Sequence, residues 1–138
     1  MPASKPWTAA PNGGFTPDDV RPWLPLGDTT AINVQGERAD RDSPLWLTRD
    51  LIRLRGEEPD LGPGAMRVWA DAGDVLAWDR GERHVVVLNL SGARARVELE
   101  PAEIRIGTER SRDGTAVSGA LELAPWEGVV ARRERRAR

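Results

Sequence analysis

Cysteine is absent from the 138 residues, which excludes disulfides, thiol catalysis and cysteine-held metal. Histidine occurs once, at His84, so any site needing two imidazoles is excluded and a Ser/His/Asp triad has only one place to form. Tyrosine is missing and lysine occurs once, which leaves tryptophan as the amphipathic aromatic and arginine as the bearer of nearly all positive charge. The bias toward arginine, alanine and glycine reads as a GC-rich coding sequence rather than as a mechanism. No apolar run approaches the ~18 residues that a membrane-crossing helix needs. The segment Met1 to Trp7 has no apolar core of the kind an export signal requires. With 39% hydrophobic and 30% charged residues, the expectation is a folded, soluble, cytoplasmic chain with no membrane partner.

Charge is unevenly placed. The last seven residues hold Arg132, Arg133, Arg135, Arg136 and Arg138 against Glu134, a balance of +4, so the remaining body stands at −6. A nucleic-acid binder presents a basic face on its folded part. An acidic body with a basic tail reads instead as a frayed, solvated terminus, and no nucleic-acid partner is expected.

Composition separates the chain into zones. Residues 1–42 hold six of the eleven prolines and two of the six tryptophans. The run from Pro11 to Asp19 is a succession of turn signals. The alternate prolines around Trp23 forbid a helix and favour an extended path. Yet Trp7, Phe15, Trp23, Leu24, Leu26, Ile32 and Val34 are too apolar for a linker, so the zone reads as a long irregular loop moulded onto a larger body. Residues 43–60 hold one helix: Asp42 or Ser43 caps it, Pro44 suits its first turn, and Gly56 through Pro59 end it. At about 100° per residue, Leu47, Leu51 and Leu54 form one apolar stripe while Leu45 and Ile52 lie on the other side, so the helix asks for two packing partners.

From Ala65 the hydrophobic period changes to two. Met66–Ala70 and Val75–Arg80 flank the turn Asp71-Ala72-Gly73-Asp74. Gly81-Glu82 reads as a type II′ hairpin loop leading into His84–Leu90, whose Val85-Val86-Val87-Leu88 suits a central strand. Arg94–Glu100 alternates, with Ala95, Val97 and Leu99 inward. Ile104 with Ile106, Gly119–Ala124 and Gly128–Arg132 bring the total to about seven short strands. The fold class is mainly β: an antiparallel β-sandwich over 64–132, with 133–138 as a basic tail. A β-domain of about seventy residues is marginal alone, burying only ~60% of its unfolded surface. The apolar loop and the two-sided helix therefore call for a second body.

The chemistry available is sparse. Retaining glycoside hydrolysis needs two carboxylates about 5–5.5 Å apart, one of them kept protonated by its surroundings. Glu98 with Glu100, Asp71 with Asp74, and Asp18 with Asp19 all read as solvated surface pairs. His84 reads as a surface or edge histidine with no serine or carboxylate placed to pair with it. Asp40 and Asp42 form no metal-binding loop, and a helix cap accounts for Asp42. Asn12-Gly13-Gly14 lacks the Gly-Lys-Ser/Thr ending of a phosphate loop. Trp46, Trp69, Trp78 and Trp126 fall on the helix or near strands and read as packing residues, whereas Trp7 and Trp23 lie on the loop and suit packing and sugar stacking equally. No metal or cofactor is expected.

The run Pro6-Trp7-Thr8-Ala9-Ala10-Pro11-Asn12-Gly13-Gly14-Phe15-Thr16 resembles the segment after the last barrel strand of α-glucosidases and oligo-1,6-glucosidases, members of the α-amylase family of glycoside hydrolases. That segment typically reads Pro-Met-x-Trp-Asp-x-Ser-Pro-Asn-Ala/Gly-Gly-Phe-Thr. Pro22-Trp23-Leu24-Pro25, Ile32-Asn33-Val34 and Ala39-Asp40-Arg41-Asp42-Ser43 are similar to further family motifs. Val85 to Ser91 and Leu123 to Val130 resemble the family's carboxy-terminal β-domain. The resemblance implies a (β/α)8 barrel whose final loop and helix are residues 1–60, followed by the sandwich. It supplies no catalysis, because the family's catalytic aspartate, glutamate and second aspartate belong to upstream barrel segments that no residue here matches. The chain departs from the pattern at Thr8, where the family has aspartate, and over Met1–Lys5, where it has a conserved arginine.

The resemblance implies a carboxy-terminal fragment of an α-glucosidase-like hydrolase, non-catalytic by itself and packed against a barrel. The parent reaction is retaining hydrolysis of α-glucosidic bonds in oligosaccharides. Trp7, Asn12 and Phe15 are the implied substrate-side residues, at the rim of the family's sugar pocket. The implied partners are an α-glucan oligosaccharide and a (β/α)8 barrel domain. A non-catalytic carbohydrate-binding or accessory module, or a decayed remnant, is the rival expectation.

Overall fold

The computed structural model describes residues 5–70 and 73–134. The arginines beyond Glu134, the start of the departing Met1–Lys5 stretch and the Asp71-Ala72 half of the first expected hairpin turn lie outside the described residues. The chain divides into two compact units, residues 1–49 and 50–138.

The first unit is mostly irregular, but it is not devoid of helix as the proline-rich composition implies. Helix α1 spans Val34–Ala39, and Asn33 caps it by accepting a hydrogen bond from the Gly36 N–H at 2.7 Å. Its six residues are too few to leave a periodic signature, so only the cap residue marks it. Helix α2, Pro44–Glu57, runs from this unit into the second. Its entry differs from the expected cap. The Ser43 hydroxyl donates to the Glu37 carbonyl at 2.8 Å, tying the turn back to α1. The Ser43 carbonyl in turn accepts from the N–H groups of Trp46 and Leu47, both at 3.1 Å. The Trp46 indole donates to the Arg38 carbonyl, and the Arg41 guanidinium lies 3.8 Å from its ring centroid, which holds the start of α2 by cation–π contact as well as hydrogen bonding.

The second unit is one six-stranded antiparallel sheet: β1 (Met66–Ala70), β2 (Val75–Arg80), β3 (His84–Asn89), β4 (Ala95–Gly107), β5 (Ala116–Leu123) and β6 (Gly128–Arg133), in the order β1-β2-β3-β6-β4-β5. Among the described residues there are six strands rather than about seven. Arg94–Glu100 and Ile104 with Ile106 read as separate strands, but the chain absorbs Pro101 in a bulge between Leu99 and Ala102, and β4 continues through it. A proline is tolerated there because the bulge removes the need for its missing N–H. The bulge lets the early part of β4, paired with β5, face the β1-β2-β3-β6 part. Val97, Leu99, Leu121 and Leu123 thereby share one buried cluster with Ala77, Val85, Val87, Val129 and Ala131. The two parts of the sheet share a single core, which is the layering of a sandwich. On its other face the end of α2 contributes Leu54, the one buried residue of the helix. Leu54, Leu51, Leu61, Met66, Trp78 and Val130 border an open groove of about 420 Å³ there.

The β2–β3 connection has three residues, since Arg80 pairs with His84, not the two of a type II′ loop. Gly81 adopts φ +58, and a Cβ there would lie 2.5 Å from Asp60 Cγ. Gly73 has a similar φ of +69 with nothing among the described residues within 4 Å of a Cβ there. Gly73→Ala is therefore expected to cost about 1 kcal/mol, the backbone penalty alone. Gly81→Ala is expected to cost about 3 kcal/mol, because Asp60 must also move. Urea denaturation of the two variants side by side checks the difference.

Candidate functional site

The implied substrate-side residues Trp7, Asn12 and Phe15 come together on one tight loop. The Gly13 carbonyl accepts from the Trp7 N–H at 2.7 Å, and the Phe15 N–H donates to the Asn12 carbonyl at 3.0 Å. Gly13 and Gly14 have φ of +62 and +78, and a Cβ on Gly13 would lie 2.8 Å from Pro6 Cβ. Only glycine fits at that crossing. The aromatic rings of the loop are open, with Trp7 55% and Phe15 42% exposed. Asn12 differs in kind. Its amide donates to the carbonyls of Pro17 at 2.6 Å and Val20 at 3.0 Å, so both side-chain donor hydrogens brace the loop and only the amide oxygen remains for a ligand. Trp23, 93% exposed, is the most open aromatic of the same unit.

The tryptophans expected to pack divide. Trp46, Trp69 and Trp78 are partly buried, but Trp126 is 68% exposed with φ 61. Its N–H donates to the Ser91 carbonyl at 3.1 Å, which fixes the left-handed turn and lifts the indole off the sheet. Of the carboxylate pairs, Asp18 with Asp19 and Glu98 with Glu100 are exposed, and Asp71 lies outside the described residues.

His84 overturns the surface expectation. Its side chain is fully buried, with Nδ1 3.5 Å from Asp60 and Nε2 3.8 Å from Glu58. Among the described residues neither ring nitrogen has a hydrogen-bond partner. Burial pulls its pKa below 6.5, against the opposing pull of Glu58 and Asp60. The imidazole itself is inaccessible while Glu58 and Asp60 remain partly exposed, so the ring acts on stability rather than on a substrate. No strand-level signal finds it, because the carboxylates come from the 3₁₀ turn region beyond α2. Among the described residues no group of three or more metal-binding side chains is placed to hold an ion. No helix among them is long and apolar enough to cross a membrane.

Over 91% of its length the chain is 31% identical to the α-glucosidase MAL12 of Saccharomyces cerevisiae. Over 43% of its length it is 42% identical to a probable oligo-1,6-glucosidase of Bacillus subtilis. The chain is related to the glucosidases of the α-amylase family. The fold agrees: the trehalulose synthase MutB from Pseudomonas mesoacidophila superposes with TM-score 0.81 and 29% identity over 91% of this chain and 24% of that one. A MutB mutant in complex with glucose gives TM-score 0.83. The chain resembles the carboxy-terminal part of these family members, with the antiparallel β-domain of the structural neighbours. It spans 23% of the yeast α-glucosidase and 10% of the Bacillus relative. The same stretch recurs outside glucosidases: the amino acid transporter heavy chain SLC3A2 of Mus musculus is 27% identical over 78% of this chain. No protein-family model matches the chain.

Proposed function

We propose that this chain acts as the carboxy-terminal portion of an α-glucosidase-like glycoside hydrolase, non-catalytic by itself, and that it stabilises a (β/α)8 barrel by packing against it. The observation that carries the reading is the span of the similarity, 91% of this chain against 23% of the α-glucosidase. Unmet apolar surface adds to it: within residues 1–49, Trp7, Phe15, Val20, Trp23, Leu24 and Ile32 are all more than two-fifths exposed, more than a self-sufficient unit of that size leaves open. In the assembled enzyme Trp7 and Phe15 would line the rim of a pocket for an α-glucan oligosaccharide, with Asn12 shaping the loop between them. The boundaries at 42, 60 and 132 mark where the barrel loop, the last barrel helix and the sandwich would end.

The test is release of p-nitrophenol from the α-glucoside by the chain alone and by the chain mixed with a separately expressed family barrel. Silence alone and turnover on mixing are the expected result. Turnover by the chain alone would sink the reading and require a carboxylate pair among the exposed acids. The similarity to the SLC3A2 heavy chain favours a second reading, a non-catalytic accessory module. That reading predicts stable association with a partner and no glucosidase activity under any mixture.

A further inference from the structure

Strands β2, β3 and β6 are apolar on both faces. Ala77, Val85, Val87, Val129 and Ala131 point into the core. Their neighbours along the chain point the other way, and register sets them in one row with β1: Val68 pairs with Trp78, Trp78 with Val86, and Val86 with Val130. Strands of that kind form a middle layer, with something packed on each side. On the outer side the end of α2 covers only a strip. Leu54 is buried, but Leu51 stays 37% and Val68 44% exposed, and Trp78, Val86 and Val130 are half-buried. The uncovered part is the open groove of about 420 Å³ beside α2. An open groove does not enclose the roughly 70–90% of a small ligand's surface that a binding pocket buries. A second helix laid beside α2, at the usual spacing of about 8–10 Å between axes, extends the layer that α2 begins.

The charges select the kind of helix. The charged residues lining the groove are Arg55 and Arg80. Arg80 donates to the carbonyls of Leu61 and Gly62 and pairs with no carboxylate among the described residues. Arg55 is exposed and has neither an ion pair nor a side-chain hydrogen bond among them. The carboxylates of α2 and the turn after it are already engaged. Asp50 pairs with Arg110 and Arg53, Glu57 with Arg53, and Glu58 with Arg132 and Arg105, while Asp60 accepts from the Arg83 N–H. An occupant with a carboxylate beside its apolar stripe completes this edge. A second copy of the chain does not bring one there. The crest of α2 is Ile52, 69% exposed and about 160° around the helix from Leu54. It lies beside Arg55 itself, so two copies would set like charges together. We propose that this groove docks an amphipathic helix of a protein partner, whose apolar stripe covers Trp78, Val86 and Val130 and whose carboxylate pairs with Arg55. The proposal goes beyond the glucosidase reading and does not rest on it.

The test titrates the full chain with two synthetic helices of about 20 residues, long enough to fold in isolation. Both carry the same leucine stripe, flanked by glutamate in one and by lysine in the other. The readout is the Trp78 indole signal in ¹H–¹⁵N spectra, assigned by its loss in Trp78→Phe. The expected result is a saturable shift with the glutamate helix and an affinity about fivefold weaker or worse with the lysine helix, the scale of one partly exposed charge pair. Arg55→Gln, at an exposed position without partners, should bring the two affinities together. Ile52→Asp, on the crest outside the groove, should leave both unchanged. No saturable Trp78 shift with either helix overturns the proposal, and so does equal affinity for the two in the wild type. A Trp78 shift that appears on concentrating the chain alone and is lost in Ile52→Asp overturns it in favour of a second copy. Tighter binding of monomeric laurate than of the glutamate helix overturns it in favour of a small amphiphile. Failure to complement a barrel leaves the Trp78 result unaffected.

Discussion

Glu127→Ala is expected to lower the unfolding free energy of the chain by about 2 kcal/mol, the cost of losing a charge-assisted hydrogen bond and leaving a buried backbone donor unsatisfied. Glu127 is 4% exposed. One of its oxygens accepts from Arg112 at 2.6 Å and the other from the Ala124 N–H at 2.7 Å. Arg112 also donates to the Glu122 carbonyl, and its own carbonyl accepts from Thr115. One carboxylate thus joins the β5–β6 turn to the 3₁₀ turn Arg110–Arg112 that precedes β5. Its removal leaves Arg112, 30% exposed, with the Glu122 carbonyl and solvent, and leaves the Ala124 N–H unsatisfied, which is destabilising where it is shielded from water. Glu127→Gln keeps one acceptor and should lose about half as much. Urea denaturation followed by tryptophan fluorescence measures both, with an unchanged slope marking a change of stability alone. A loss below about 1 kcal/mol in the alanine variant would mean that water screens the pair as it does on a surface.

What sequence can reveal here depends on whether the signal is local. The alternation in Arg94–Glu100 put Val97 and Leu99 inside, and both are buried, because period two is a property of neighbours along one strand. The continuous run Val85–Leu88 marked a central strand, and β3 does lie between β2 and β6. Reading Arg94–Glu100 and Ile104 with Ile106 as separate strands failed for the same reason: the bulge that joins them in β4 depends on pairing with β5. Trp126 is apolar beside a strand, and only the left-handed turn shows that it points to water. The loop holding Trp7, Asn12 and Phe15 was legible as motif, but the bracing role of the Asn12 amide required the positions of Pro17 and Val20.

Acid should destabilise the second unit through His84. Above pH 6.5 the imidazole is neutral in both folded and unfolded chains. As pH falls below 6.5 the unfolded chain binds a proton while the buried ring resists it, so the unfolded state holds more protons and stability declines. The decline levels off once pH passes the depressed folded pKa. The groups facing the ring set how steep this is. Glu58 and Asp60 favour the proton, while Arg132 on β6 disfavours it. Arg132 and Arg105 also lie within 4.0 Å of Glu58 and divide its charge, which explains why burial prevails over two carboxylates. His84→Leu fills similar space without a titrating group and should flatten the slope between pH 7 and 5, whatever its effect at neutral pH. His84→Ala removes a fully buried side chain and should cost about 3 kcal/mol at pH 7 through the cavity it leaves. Denaturation midpoints across that range distinguish the two effects. If His84→Leu keeps the wild-type slope, the acid dependence arises elsewhere. If the wild type gains stability on acidification, Glu58 and Asp60 hold a charged imidazole, and the cluster is an ion triad rather than a buried neutral ring.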